Sequence, residues 1–159
     1  MTRTKTTKKP TRRKTNAVAD AMARVLADTY AVYLQTHTYH WNVTGPQFHS
    51  LHMMFEVQYN EMWMAVDLLA ERIRALGEFA PGSAKSLGAL SDISFGRDET
   101  PKAEAMVKNL LKAHETLIRN AKAARDIAAK AGDSESEDML IARIQEHEKT
   151  VWMLRATLG

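Results

Sequence analysis

The chain has 159 residues, 45% hydrophobic and 26% charged, enough for one domain with a proper core and too short for two comfortable ones. Cysteine is absent, which excludes disulfides, thiolate zinc sites and cysteine nucleophiles and leaves imidazole nitrogen and carboxylate oxygen as the metal ligands available. The net charge of +3 is unevenly placed: Arg3, Lys5, Lys8, Lys9, Arg12, Arg13 and Lys14 carry seven positive charges before the first acid, Asp20, and the remainder holds 15 basic against 19 acidic residues, a balance of −4.

Residues 1–15 contain only Lys, Arg, Thr, one Pro and Met. Such a segment cannot bury enough apolar surface to offset the entropy of ordering, so it is expected to be a disordered basic tail. A basic arm on an acidic body is drawn to a polyanion through the arm alone. The arm runs into polar residues instead of an apolar signal core, and no apolar run reaches the roughly 18 residues of a membrane span. A soluble, cytoplasmic protein without a membrane partner is expected.

From Asn16 the pattern changes. Val18, Met22, Val25, Thr29, Val32, Thr36 and His40 recur at steps of three or four, predicting a first helix to about Asn42. Thr44-Gly45-Pro46 breaks it. Phe48, His52, Phe55, Tyr59, Met62, Val66, Leu69, Ile73 and Leu76 then mark a second helix stopping at Gly77. Residues 78–100 hold Pro81, Gly82, Gly88 and Gly96 and read as a crossover with a short helix near Ala84 to Leu90. Thr100-Pro101 reads as the N-cap and first turn of a third helix ending at Gly132. Ser134 with Glu137 reads as a capping box opening the last helix. Two helical hairpins joined by one long connection predict an all-α, ferritin-like four-helix bundle over residues 16–159.

Chemistry concentrates at the turn of the first hairpin and along the second helix. Four of the six histidines, His37, His40, His49 and His52, fall within 16 residues. His52 and Glu56, and again Asp67 and Glu71, are spaced i, i+4 and project from one side of a helix. Taken singly, His37 and His49 read as packing or surface residues, and Asp67 with Glu71 as a solvated face. Jointly, positions 52, 56, 67 and 71 fall within a sector of about 100° on one helix. The two pairs are nevertheless centred about 22 Å apart along the axis, far beyond any coordination bond. An antiparallel copy of the helix about a two-fold axis near Glu61 and Met62 would bring each His52-Glu56 end beside the partner's Asp67-Glu71 end, giving two equivalent sites. His40 joins because the turn near Gly45 folds the first helix against the start of the second.

The run His40-Trp41-Asn42-Val43-Thr44-Gly45-Pro46-Gln47-Phe48, followed by Leu51-His52 and by Asp67-Leu68-Leu69-Ala70-Glu71-Arg72-Ile73, resembles the signature of the Dps proteins, the dodecameric mini-ferritins. The resemblance extends to Asp138-Met139-Leu140 and Trp152-Met153. It implies that His40, His52 and Glu56 bind iron from one subunit and Asp67 and Glu71 from its two-fold partner, the arrangement that the spacing also requires. Many relatives carry aspartate in place of Glu56. The resemblance further implies oxidation of iron(II), by hydrogen peroxide in preference to dioxygen, and storage of ferric mineral inside a hollow homododecamer. Mixed imidazole and carboxylate ligation suits both iron states. Trp41 reads as core packing or, by resemblance, as an interceptor of oxidising equivalents.

Acids at the start of the last helix complement its dipole. By resemblance, Asp138 would also line a three-fold iron pore, while Ala129 and Ser134 stand where some relatives have acids. The basic tail is expected to bind DNA without sequence preference, making the protein nucleoid-associated. An iron site inside one bundle would need a Glu-x-x-His unit on each of two helices, and neither His114 nor His147 has a glutamate three residues before it. The alternative from another class is a DNA-compacting scaffold with a vestigial or structural metal site.

Overall fold

The computed structural model describes residues 16–96 and 98–159; the expected basic tail lies outside them. The elements are α1 (Ala17–Asn42), α2 (Phe48–Ala75), α3 (Ala84–Leu90), α4 (Ala103–Ala131) and α5 (Ser134–Leu158), with no strand among the described residues. None of these helices is long and apolar enough to cross a membrane.

Each boundary has a local cause. Asn16 caps α1, its side-chain oxygen accepting from the backbone N–H groups of Val18 and Ala19. α2 stops at a left-handed Gly77 (φ +86°), where the Gly77 N–H reaches the Arg74 carbonyl and the Glu78 N–H reaches that of Ile73. Gly132 (φ +71°) closes α4 in the same way. Two starts differ from the sequence expectation. α4 begins at Ala103, because Lys102 keeps an extended backbone (ψ 153°) and its carbonyl accepts the first helical bond, from Met106. α5 is capped by Asp133 and not by Ser134: the Asp133 carboxylate accepts from the Ser136 N–H at 3.1 Å and the Ser136 hydroxyl at 2.7 Å. Arg72 of α2 fixes that carboxylate at 2.6 Å. An ionised acceptor held by a guanidinium outcompetes a serine hydroxyl for the cap.

α1 packs on α2 and α4, and α4 on α5. Asn109 bonds to Tyr39 and Asn120 to Asp28, so α4 runs antiparallel to α1 and the crossover spans the length of the bundle. The buried Asp28 carboxylate pins that crossover, accepting also from the Ser91 hydroxyl and the Asp92 N–H. All seven inward positions expected on α1 are buried, as are Phe55, Met62, Leu69 and Ile73 of α2. Phe48, expected to face inward, is 44% exposed at the hairpin end and lies against the His52 ring.

A polar network crosses the core. Glu61 of α2 pairs with both terminal nitrogens of Arg143; Arg143 donates to His147 Nε2 at 3.2 Å, and His147 Nδ1 meets His114 Nδ1 at 2.9 Å. A guanidinium only donates, so neutral His147 carries its proton on Nδ1 and gives it to His114. Burial, then the Arg143 charge, lowers the His114 pKa to about 3. Burial, then His114 and Arg143, holds His147 well below its ordinary value. Folding therefore excludes protons that the unfolded chain takes up near its ordinary histidine pKa of about 6.5. This part of the stability is present in full above about pH 6.5 and is lost as the pH falls toward 3. Thermal unfolding midpoints should drop across that window, and His114→Leu with His147→Leu should make the slope shallower. An equal slope in the double variant would contradict the assignment.

Candidate metal centre

The end of α1 and the start of α2 are fastened by an exchange of hydrogen bonds. The His40 Nδ1 lies 2.8 Å from the His52 carbonyl oxygen, and the His52 Nδ1 lies 2.8 Å from the His40 carbonyl oxygen. A carbonyl can only accept, so each Nδ1 carries its proton and donates. The His40 carbonyl belongs to the last turn of α1, where helical carbonyls lack partners of their own, and the His52 imidazole satisfies it. The two rings are packed face to face, with centroids 3.8 Å apart and planes 17° apart. In the neutral imidazole a protonated Nδ1 leaves a lone pair on Nε2. Both rings are thus set in the tautomer of a metal ligand whose other nitrogen is anchored by a backbone carbonyl.

Around the pair stands an aromatic wall. Tyr59 meets His40 edge-on at 5.1 Å and stacks on His37 at 4.0 Å. Trp41, 61% exposed, lies 4.2 Å from His37. Burial first, then His40, lowers the His37 pKa and favours its neutral form. This rim was not legible from spacing alone, since Tyr59 reads as an ordinary inward position of the helix.

The remaining sequence candidates divide. Glu56 is half-buried one turn beyond His52. Asp67 and Glu71 are exposed further along α2, and His49 is exposed at its start. Among the described residues no three His, Asp or Glu side chains converge on a metal position. One chain brings together His40 and His52 and leaves the carboxylates apart from them. Asp138 is exposed near the start of α5.

α2 also carries an uncovered apolar strip: Met53, Val57, Met64 and Leu68 are 45%, 69%, 62% and 53% exposed. At about 100° per residue these four lie within roughly 60° of one another, bordering the sector of His52, Glu56, Asp67 and Glu71. The spacing of the strip is symmetric, Met53 and Val57 mirroring Leu68 and Met64 about the middle of the helix.

A ferritin-like domain model matches residues 19–159. The chain is 34% identical over 145 residues to DNA protection during starvation protein 2 of Bacillus anthracis, covering 89% of this chain and 97% of that one. The crystal structure of a Dps protein from Bacillus brevis superposes with a TM-score of 0.87 at 34% identity, over 92% of this chain and 99% of that one. The Dps protein of Vibrio cholerae O1, described as a member of a broad superfamily of ferritin-like diiron-carboxylate proteins, superposes with a TM-score of 0.84 at 30% identity, over 89% of each chain.

Proposed function

The chain belongs to the Dps family of ferritin-like proteins, and from that membership we propose that it oxidises iron(II) at sites shared between two subunits, stores the ferric product and shields DNA. The observation that carries this reading is the pair of reciprocal Nδ1–H to carbonyl bonds between His40 and His52. Those bonds set both Nε2 lone pairs for a cation in advance, as metal-binding histidines require. Two imidazoles alone make a weak iron site, and hard iron(III) calls for carboxylate oxygen.

The carboxylates come from a second copy. When two α2 helices pair antiparallel about their midpoints, each apolar strip covers the other, Met53 and Val57 meeting the partner strip's opposite end. Covering such a strip removes apolar surface from water, and the same pairing carries Asp67 and Glu71 of one subunit toward His40, His52 and Glu56 of the other. Iron(II) is the substrate at these two equivalent sites. Neutral imidazoles bind it, and the carboxylates stabilise the oxidised product. The oxidant is hydrogen peroxide, with dioxygen the slower alternative. Twelve copies close into a hollow shell that holds the mineral, and Asp138 contributes to the entry path for iron(II).

Residues 1–15 serve the second role. Their seven cations neutralise phosphates and release counterions. Many tails on one particle convert weak contacts into avidity, and a fifteen-residue extended arm reaches at most about 50 Å. Without base-reading groups, binding is indifferent to sequence, and the protein is nucleoid-associated in the cytoplasm.

Two experiments test the two roles separately. His52→Ala should lower the initial rate of iron(II) oxidation by peroxide about tenfold or more, the scale of effects at metal sites, while the native mass of the assembly stays unchanged. A full rate in an intact assembly would refute the ligand assignment. Deleting residues 2–14 should abolish the gel shift of DNA at moderate salt and leave iron oxidation intact, whereas the full chain should lose affinity steeply as salt rises. DNA retention unchanged by the deletion would remove the tail from the account.

A further inference from the structure

A cavity of about 320 Å³ lies between α2 and α5, with α4 behind them and with neither His40 nor His52 in its wall. That volume is in the range that holds a small organic ligand. Two polar side chains that line it, Gln58 and His114, are both more than nine-tenths buried. Neither the oxygen nor the nitrogen of the Gln58 carboxamide has a hydrogen-bond partner among the described residues, and neither does His114 Nε2. Buried polar groups are almost always paired. Three unpaired atoms on side chains that line one cavity mark a place for a guest.

The hydrogen-bond chain behind the cavity fixes what these atoms offer. Arg143 donates to His147 Nε2, so His147 donates from Nδ1 to His114 Nδ1. His114 therefore carries its own proton on Nε2, and that nitrogen is a donor. A metal needs a lone pair there, and the same chain withholds it. Gln58 adds one donor and one acceptor. The charges around the cavity are matched, Glu61 being held by Arg143 and Lys149 lying 3.9 Å from Glu146. The guest is thus uncharged and brings two acceptors and one donor. Its body meets thioethers, from Met54, Met62, Met153 and Met53, the last also a contact of the two-fold pairing proposed above. Thioether sulfur packs well against aromatic rings. Water would satisfy the polar atoms, but each molecule needs two to four polar partners, which the methionine walls do not supply.

We infer that this cavity binds an uncharged, flat, fused heterocycle by a cyclic imide edge, O=C–NH–C=O. His114 Nε2 and Gln58 Nε2 donate to the two carbonyls, Gln58 Oε1 accepts from the ring N–H, and the methionines cover the ring faces. An imide edge pairs all three unpaired atoms at once. A ketone or quinone leaves Gln58 Oε1 without a donor, and a carboxylate brings a charge that nothing in the cavity matches. Binding of this kind does not depend on iron oxidation, so the loss of either property leaves the other standing.

The probe is lumiflavin, an uncharged tricycle with this edge, titrated into the full-length assembled protein free of iron and followed by its fluorescence. Quenching should saturate at about one molecule per subunit. 3-Methyllumiflavin, whose imide nitrogen cannot donate, should bind the parent protein about tenfold more weakly, the scale of a lost buried hydrogen bond. Thymine, which has the same edge on a single ring and leaves the methionines uncovered, should also bind at least about tenfold more weakly. Gln58→Leu should leave the thermal unfolding midpoint equal or higher, because hydrocarbon replaces an unpaired buried amide. The same variant should lower lumiflavin affinity about tenfold or more and should no longer tell the methylated probe from the unmethylated one. Equal affinity of the two flavin probes for the parent, or lumiflavin binding unchanged in Gln58→Leu, overturns the proposal. So does thymine that binds as tightly as lumiflavin, or a parent protein that takes up no probe and holds only water on Gln58 and His114 in its crystal structure.

Discussion

The two hydrogen bonds exchanged between His40 and His52 tie sequence, fold and chemistry together. Each ring donates to a backbone carbonyl across the junction of α1 and α2, so the contacts that hold the turn also fix the nitrogens proposed to face a metal. A single bond would orient one ring. The reciprocal pair, with the rings stacked at 3.8 Å, fixes both tautomers and their spacing at once. Losing the His52 side chain leaves the His40 carbonyl in the last turn of α1 without its imidazole donor, and losing either side chain removes the ring stacked on the other.

The rise of a helix then imposes the second constraint. α2 runs from Phe48 to Ala75, and Asp67 and Glu71, the carboxylates proposed to complete the site, are centred about 22 Å from His52 and Glu56 along a rod that cannot bend back on itself. Only another copy can close that distance. The exposed strip of Met53, Val57, Met64 and Leu68 supplies an apolar reason for the copy to come. In this account oligomerisation and catalysis are not separate properties, because the contact that hides the strip is the one that assembles the ligands.

Much of this was legible in the sequence because helical periodicity reports burial directly: Val18, Met22, Val25, Thr29, Val32, Thr36 and His40 all face the core. The meeting of His40 with His52 was legible because the turn near Gly45 folds the end of α1 against the start of α2. Helix starts were harder. Asp133 displaces Ser134 as a cap through Arg72, which is 61 residues away, and no local pattern encodes that. The buried chain from Glu61 through Arg143 and His147 to His114 joins three helices across 82 residues and was equally hidden. The tautomers of His40 and His52 depend on backbone carbonyls, which every residue has, and so leave no trace in residue type. The partner's position was inferred from spacing, and one chain by itself cannot display it.

The central claim, that the iron site is shared, is tested most directly by mixing two defective proteins. One carries His40→Ala and His52→Ala; the other carries Asp67→Ala and Glu71→Ala. Neither alone should oxidise iron(II) quickly. Dissociated and reassembled together, a mixed two-fold dimer regains one intact site, built from the first protein's Asp67 and Glu71 and the second protein's His40, His52 and Glu56. Random assortment makes half the dimers mixed, each with one good site of two, so about a quarter of the parent rate should return. Every chain in the mixture still bears a defect, so a site confined to one chain could not be rescued. Confirmed mixed assemblies with no recovered oxidation would contradict the shared site.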